Sequence, residues 1–195
     1  MMIERLVWRL DPVFDRGLNT ARNTFLPSGQ GHYMSAPSPW HILPRALRKL
    51  GAGDQDVFVD FGCGTGRVVH QAAKRPLKRV IGVEIFPEVA DRAQTLVASQ
   101  RRRYRCQSVE IVTCDITEFR VPDDLTIAYL GQVQYLSEEE LDAVLRNIIE
   151  SIDRRRRRVR LIYYPTPAPR VGATGRFRLL PEMSFGGVEI YESRG

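Results

Sequence analysis

Ten consecutive residues constrain this chain more than any others: Val57-Phe58-Val59-Asp60-Phe61-Gly62-Cys63-Gly64-Thr65-Gly66. A short, apolar, β-branched run suits a strand buried on both faces. It passes directly into three glycines at alternate positions. Glycine tolerates positive φ and lets a ligand approach the backbone closely. The helical pattern that follows would offer free N–H groups to a negative group. Strand, glycine turn and helix together imply a nucleotide-like ligand over the carboxyl end of the first strand of an open α/β sheet.

The rest of the chain repeats the alternation. Asp56–Phe61, Arg79–Glu84, Val109–Thr113, Leu125–Leu130 and Val159–Tyr164 read as strands. Between them, Gly66–Lys74 and Pro87–Arg103 read as helices, the latter with Val89, Ala90, Ala93, Leu96 and Val97 on one face. Ser137-Glu138-Glu139-Glu140 is a capping box ahead of the apolar stripe Leu141, Val144, Leu145, Ile148, Ile149 and Ile152. Near-continuous apolar strands alternating with helices predict a parallel sheet covered on both faces. Arg176–Leu180 and Val188–Tyr191 have no helix between them and predict a terminal antiparallel hairpin.

Upstream, residues 3–18 have helical spacing, interrupted at Pro12, and residues 19–39 read as loop. Ser38 with Pro39 reads as the N-cap and first position of a helix through Leu50, ended by Gly51-Ala52-Gly53. The expected division is a helical N-terminal extension and lid over 1–50 and a doubly wound, Rossmann-like domain over 51–195. Its length of 195 residues suits one such domain.

The net charge is +6, and only Lys49, Lys74 and Lys78 among 29 basic residues are lysine. Basicity permits an acidic partner without demanding one. Cys63, Cys106 and Cys114 form neither a disulfide framework nor a zinc spacing, so the expected setting is a reducing cytoplasm. No apolar run approaches the ~20 residues of a membrane span, and charges at Glu4, Arg5, Arg9 and Asp11 argue against a signal peptide.

The acids choose the ligand. A dinucleotide fingerprint would need a third glycine where Arg67 stands, and Asp60 would sit awkwardly beside a pyrophosphate. S-adenosylmethionine has an ammonium, a sulfonium, a carboxylate and an adenosine but no phosphate, which suits an acid beside a glycine turn. Glu84, roughly twenty residues beyond the turn, can accept both ribose hydroxyls. Asp115 follows the third strand and can accept from the adenine amino group, with Ile116 against the ring.

From residue 38 onward these features resemble the class I S-adenosylmethionine-dependent methyltransferases. The resemblance rests on Asp60–Gly66, Val80–Glu84, Cys114-Asp115 and the terminal hairpin. More narrowly, Tyr33, Pro37-Ser38 and the Arg-rich second helix look like a group of small bacterial methyltransferases of mostly unassigned substrate. The resemblance implies a seven-stranded sheet of order 3-2-1-4-5-7-6, ribose at Glu84, adenine at Asp115, and methionine around Asp60, Gly62 and Gly64. The full cofactor set expected is Asp60, Gly62, Cys63, Gly64, Gly66, Glu84, Ile85, Asp115, Ile116 and Leu130. The cofactor would be S-adenosylmethionine, leaving as S-adenosylhomocysteine, with no metal.

After the fourth strand, relatives that methylate bases or glutamine amides carry an Asn/Asp-Pro-Pro-aromatic motif. This chain has Tyr129-Leu130-Gly131-Gln132-Val133-Gln134-Tyr135 instead, which argues against those acceptors. The catalytic candidates are His41, Tyr33, Gln132 and Tyr164. Phe25, Tyr33, Met34 and Trp40 supply aromatic and apolar surface for a small organic acceptor. The clusters Arg101-Arg102-Arg103 with Arg105, and Arg154–Arg158 with Arg160, fall between a helix end and the next strand. They therefore belong to the sheet edge opposite the cofactor, where cations suit helix C-termini. The expected partner is a small-molecule methyl acceptor, with a homodimer possible, nucleic acid less favoured and no membrane. A protein or RNA methyltransferase, or a cofactor-binding descendant that transfers no methyl, remains open.

Overall fold

The computed structural model describes residues 38–132 and 135–194. The expected extension over 3–18, the loop 19–37 with Phe25, Tyr33 and Met34, and Gln134 lie outside the described residues.

Seven strands form one sheet of order β3-β2-β1-β4-β5-β7-β6. The strands are β1 (Val57–Phe61), β2 (Arg79–Glu84), β3 (Ser108–Thr113), β4 (Ile127–Gly131), β5 (Arg160–Tyr164), β6 (Phe177–Leu179) and β7 (Glu189–Ser193). The first five run parallel, whereas β7 pairs antiparallel with both β5 and β6. Central β1 is buried at every residue, as its unbroken apolar run requires. Its register sets Asp60 beside Gly82 on one side and Tyr129 on the other.

Helices α1 (Ile42–Lys49), α2 (Arg67–Ala73) and α3 (Pro87–Gln100) cover one face of the sheet, and α4 (Glu138–Arg154) and α5 (Pro169–Ala173) the other. On the first face Phe58, Val80, Tyr129 and Ile162 pack with Leu43, Leu47, Val69 and Ala93. On the second, Val59, Phe61, Leu130 and Leu161 pack with Leu141, Leu145 and Ile148. The period-2 alternation of strand side chains divides β1 and β4 between these two cores. The capping box forms as expected: Ser137 Oγ accepts from Glu140 N–H, and Glu140 Oε2 accepts from Ser137 N–H at 2.7 Å.

Three local expectations change. Ser38 is not an N-cap. The helix begins at Ile42, after a turn in which Ile42 N–H donates to the Pro39 carbonyl at 3.2 Å. Ser38 is instead buried at the end of β4, and its carbonyl accepts from Arg67 Nη1 at 3.3 Å. A tertiary contact has taken the residue away from the helix it was expected to cap. The second long helix gives way to a 3-10 turn over Arg101–Arg103, which leaves all three side chains exposed. Residues 165–175, where the sequence pattern marked no helix, contain α5. Pro169 starts it, and Arg170 holds it to α4 by a bidentate pair with Asp142, at 2.9 and 2.7 Å. So short a helix is stabilised by what it docks on, not by its own propensity.

Candidate functional site

The site is built where β1 ends. Gly62, Gly64 and Gly66 have φ of +80°, +55° and +85°, the left-handed region that side chains rarely adopt. The turn folds back on β2: the N–H groups of Gly62 and Cys63 both donate to the Val83 carbonyl, at 3.0 and 2.8 Å. The two outer glycines serve different ends. A Cβ on Gly62 would point into open space, whereas one on Gly66 would lie 3.1 Å from Ala93 Cβ. Gly66 therefore lets α3 press on the turn, and Gly62 leaves a clear backbone surface. The Cys63 thiol is buried against Gly82, so Cys63 presents backbone, not sulfur, to a ligand.

Two carboxylates face this turn. Asp60 is 2% exposed, and its Oδ2 has no hydrogen-bond partner among the described residues. Burial, and secondarily the nearby Glu84 carboxylate, push its pKa well above the ordinary range. Glu84 is also buried, but satisfied: Oε2 accepts from Gly64 N–H at 2.9 Å and Oε1 from Phe86 N–H at 3.1 Å. Burial raises its pKa, and the backbone donors partly offset the rise.

Asp115 stands past the end of β3. Its Oδ1 accepts from both the N–H and the Oγ1–H of Thr117, at 2.8 and 2.7 Å, which fixes the carboxyl in an Asx turn. Ile116 packs against the α4-side core, while Ile85 is 44% exposed and free to cover a flat ligand. Leu130 is different. It is wholly buried in the core beneath α4, on the opposite face from Asp60, so its side chain offers no ligand surface.

The acceptor-side candidates are partly brought together. Gln132 follows β4 with φ +60°, the one positive-φ residue other than glycine among those described, and its N–H donates to the Tyr164 carbonyl at 2.6 Å. Side-chain residues held in this conformation cluster at functional sites. Tyr164 ends β5 on the same sheet face as Tyr129 and lies across Gly187. His41 immediately precedes α1, half-buried, and makes no side-chain cap. Tyr33 lies outside the described residues.

Sequence reasoning missed two residues. Arg67, noted only for disrupting a dinucleotide pattern, reaches across to Ser38 and lies 5.0 Å from the Trp40 ring. Tyr129 lies over Gly131 so closely that any side chain there would collide with its ring. The signal available was the pairing of Tyr129 with Gly131 two residues on, which places both on one face.

A family model described as a methyltransferase domain matches residues 58–154. It spans the glycine turn, both buried acids, Asp115 and the strand end carrying Gln132. The chain carries a methyltransferase domain of the class I S-adenosylmethionine-dependent kind.

Curated relatives of this methyltransferase match over short stretches. A protein-lysine N-methyltransferase of Saccharolobus islandicus is 36% identical over 58 residues, 29% of this chain and 36% of its own length. A histone H3 lysine-79-specific N-methyltransferase of Dictyostelium discoideum is 37% identical over 68 residues, 31% of this chain but 4% of its own length. The chain thus spans about a third of one relative and a small fraction of the other. Among solved structures, an RNA methyltransferase from Salinibacter ruber in complex with S-adenosylhomocysteine superposes with a TM-score of 0.54 at 19% identity, covering 81% of this chain and 92% of that one. That likeness concerns the fold.

The residues present fit the cofactor of this methyltransferase family. A buried carboxylate oxygen without a partner asks for a cation, and Gly62 leaves an open backbone cradle above it. Among the described residues, no helix is long and apolar enough to cross a membrane.

Proposed function

We propose that this methyltransferase binds its cofactor across the ends of β1, β2 and β3 and transfers the methyl to an oxygen or nitrogen of a small molecule. The observation that carries the cofactor placement is the pair Asp60 and Glu84, buried side by side at the glycine turn. In this reading Asp60 takes the α-ammonium, Glu84 the ribose hydroxyls, and Gly62 and Gly64 let the chain lie close. Asp115, held by Thr117, faces the adenine amino group, with Ile85 and Ile116 against the ring. The cofactor supplies a methyl already activated on a sulfonium. The protein's work is therefore alignment and exclusion of water.

The acceptor enters beside Gln132 and Tyr164. Gln132 can hydrogen-bond a polar group, and Tyr164 can line the approach. His41 is the candidate that takes the acceptor's proton, where the acceptor needs a base. Two features support a small acceptor. The link between β5 and β6 holds a single five-residue helix, too short for a capping domain. The arginine runs 101–103 and 154–158 precede β3 and β5, at the opposite ends of the strands from Asp60. A five-residue strand separates those ends by roughly 16 Å, so the arginine runs do not themselves line the site.

The second reading is a protein-lysine methyltransferase, favoured by the lysine N-methyltransferase activity of the two curated relatives. Calorimetric titration with S-adenosylmethionine, S-adenosylhomocysteine and, as a control, NAD tests the cofactor. Micromolar binding of the adenosyl ligands and none of NAD is expected. Incubation with labelled cofactor and either pooled metabolites or denatured cell protein tests the acceptor. Label in the small-molecule fraction supports the first reading; label in protein alone overturns it.

A further inference from the structure

Arg67 carries a positive charge that meets no counter-charge among the described residues. It begins α2 directly after Gly66 and is half-buried. Its Nη1 donates to the Ser38 carbonyl at 3.3 Å, and its guanidinium lies 5.0 Å from the centre of the Trp40 ring. Neither partner is charged. Among the described residues no carboxylate lies within 4.0 Å of it. A guanidinium drawn out of water is costly unless an anion meets it. A neutral carbonyl and an aromatic face hold it in place but leave most of its five donors unspent.

Its position says which anion fits. Glu84 stands on β2 and Asp60 on β1. Arg67 reaches Ser38, whose Oγ lies 2.9 Å from where a Cβ on Gly131 of β4 would be. From β2 to β4 the site therefore presents acid, acid, then cation. The cofactor read into this site carries hydroxyls on its ribose at one end. At the other it carries an ammonium and a carboxylate on one carbon. Hydroxyls to Glu84 and ammonium to Asp60 leave the carboxylate to meet whatever lies beyond Asp60 on the β4 side.

We propose that Arg67, steadied by Ser38 and Trp40, is the receptor for the carboxylate of the methionine end of S-adenosylmethionine. The inference rests on the cofactor placement proposed above. Arg67 is a binding residue that orients the donor; it takes no part in bond making. The guanidinium fork matches a carboxylate in two parallel hydrogen bonds. The segment 38–41 then has a function that its failure to start a helix would otherwise obscure. It holds the guanidinium still, so that little side-chain freedom is lost when the carboxylate arrives.

The experiment compares S-adenosylmethionine with its decarboxylated analogue, identical but for the carboxylate, by calorimetry on the whole protein. Wild type is expected to bind the intact cofactor about ten- to a hundredfold more tightly, the range of a charge-assisted hydrogen bond. In Arg67→Met, which keeps most of the apolar stem, the ratio should fall to about one, with affinity for the analogue unchanged within about twofold. Arg67→Lys, which keeps the charge but not the fork, should fall between. Thermal melts of each variant confirm that the fold persists. Equal binding of both ligands by wild type, or a wild-type ratio in Arg67→Met and Arg67→Lys, overturns the assignment of Arg67. Binding of neither ligand by wild type overturns the cofactor reading itself, a different outcome.

Discussion

The backbone N–H of Gly64 donates to the Glu84 carboxylate at 2.9 Å, tying the glycine turn after β1 to the end of β2. Glu84 thus holds the turn in its left-handed course, and in the proposed cofactor placement its remaining lone pairs take the ribose hydroxyls. The other Glu84 oxygen accepts from Phe86 N–H, so the carboxyl is held from both sides before any ligand arrives. Preorganisation of this kind lowers the cost of binding.

Replacing Glu84 should therefore hurt twice. Glu84→Ala is expected to weaken S-adenosylhomocysteine binding by on the order of 10- to 100-fold, because it removes charged acceptors and loosens the turn. Glu84→Gln, whose amide oxygen can still accept from Gly64, should lose less. Titration of both variants checks this. Wild-type affinity in Glu84→Ala would mean that the ribose is held elsewhere.

Asp60 couples the site to pH. Its carboxyl is raised by burial and then by Glu84, and Glu84 is raised by burial as well. A raised native pKa stabilises the fold below the unfolded value, and that stability is lost as pH rises through the native value. The unliganded protein should thus lose stability as pH rises from the ordinary carboxylate range through the raised native value, and Asp60→Asn should flatten the slope. Asp124 and Asp153, held below the usual range by lysine and arginine partners, act only in stronger acid. Cofactor binding should run the other way, weakening as protonation of Asp60 competes with the ammonium. Urea melts and titrations across this range test both signs, and a pH-independent affinity would remove Asp60 from the ammonium site.

Gly131 is required by packing. A methyl there would strike the Tyr129 ring and lie 2.9 Å from Ser38 Oγ. Gly131→Ala is expected to cost about 1–3 kcal/mol of stability by overpacking. It should also weaken cofactor binding by displacing the Ser38 segment from Arg67. Denaturant melts read the first effect and calorimetry the second. An unaltered melt would show that the Tyr129 ring can move aside freely.

Gln132 holds φ +60°, a conformation glycine adopts without penalty. Gln132→Gly is expected to leave stability unchanged or raise it by roughly 0.5 kcal/mol while lowering turnover of the methyl acceptor. Parallel melts and single-turnover assays separate the two. Full turnover in the variant would take the Gln132 side chain out of acceptor binding.

The exposed arginines should be silent at the site. Arg102, Arg155 and Arg156 make no ion pair with the described residues. Changing all three to Gln should shift stability by no more than about 0.5 kcal/mol and leave cofactor affinity unaltered. A steep salt dependence of substrate turnover that vanishes in the triple variant would point instead to a polyanionic substrate.

Much of the fold was legible because local rules and tertiary structure agreed. The strand Arg79–Glu84 and the capping box at Ser137 and Glu140 stand where the pattern put them. So does the strand order, which the resemblance to the class I methyltransferases implied and the pattern alone did not. The acids Asp60, Glu84 and Asp115 were legible too, because each ends or follows a strand whose direction the pattern already set. Where long-range contacts competed with local preference, the chain alone was silent. Ser38 has the chemistry of a helix cap, yet it caps nothing, because Arg67 and Gly131 claim it from residues far along the chain. Helix α5 is too short to form on its own and is held where Val171 packs into the core and Arg170 meets Asp142. Leu130 sits beside the site in sequence but faces the other core, since side chains alternate across a strand. The sequence by itself determined the class of sheet, its strand directions and the acids at its carboxyl ends, all of which follow from periodicity and glycine. Only the tertiary structure decided that Asp60 is buried with one oxygen unpartnered among the described residues, and that Arg67 meets a carbonyl and an aromatic ring but no described carboxylate. Burial and charge pairing depend on neighbours brought together by folding, not on neighbours along the chain.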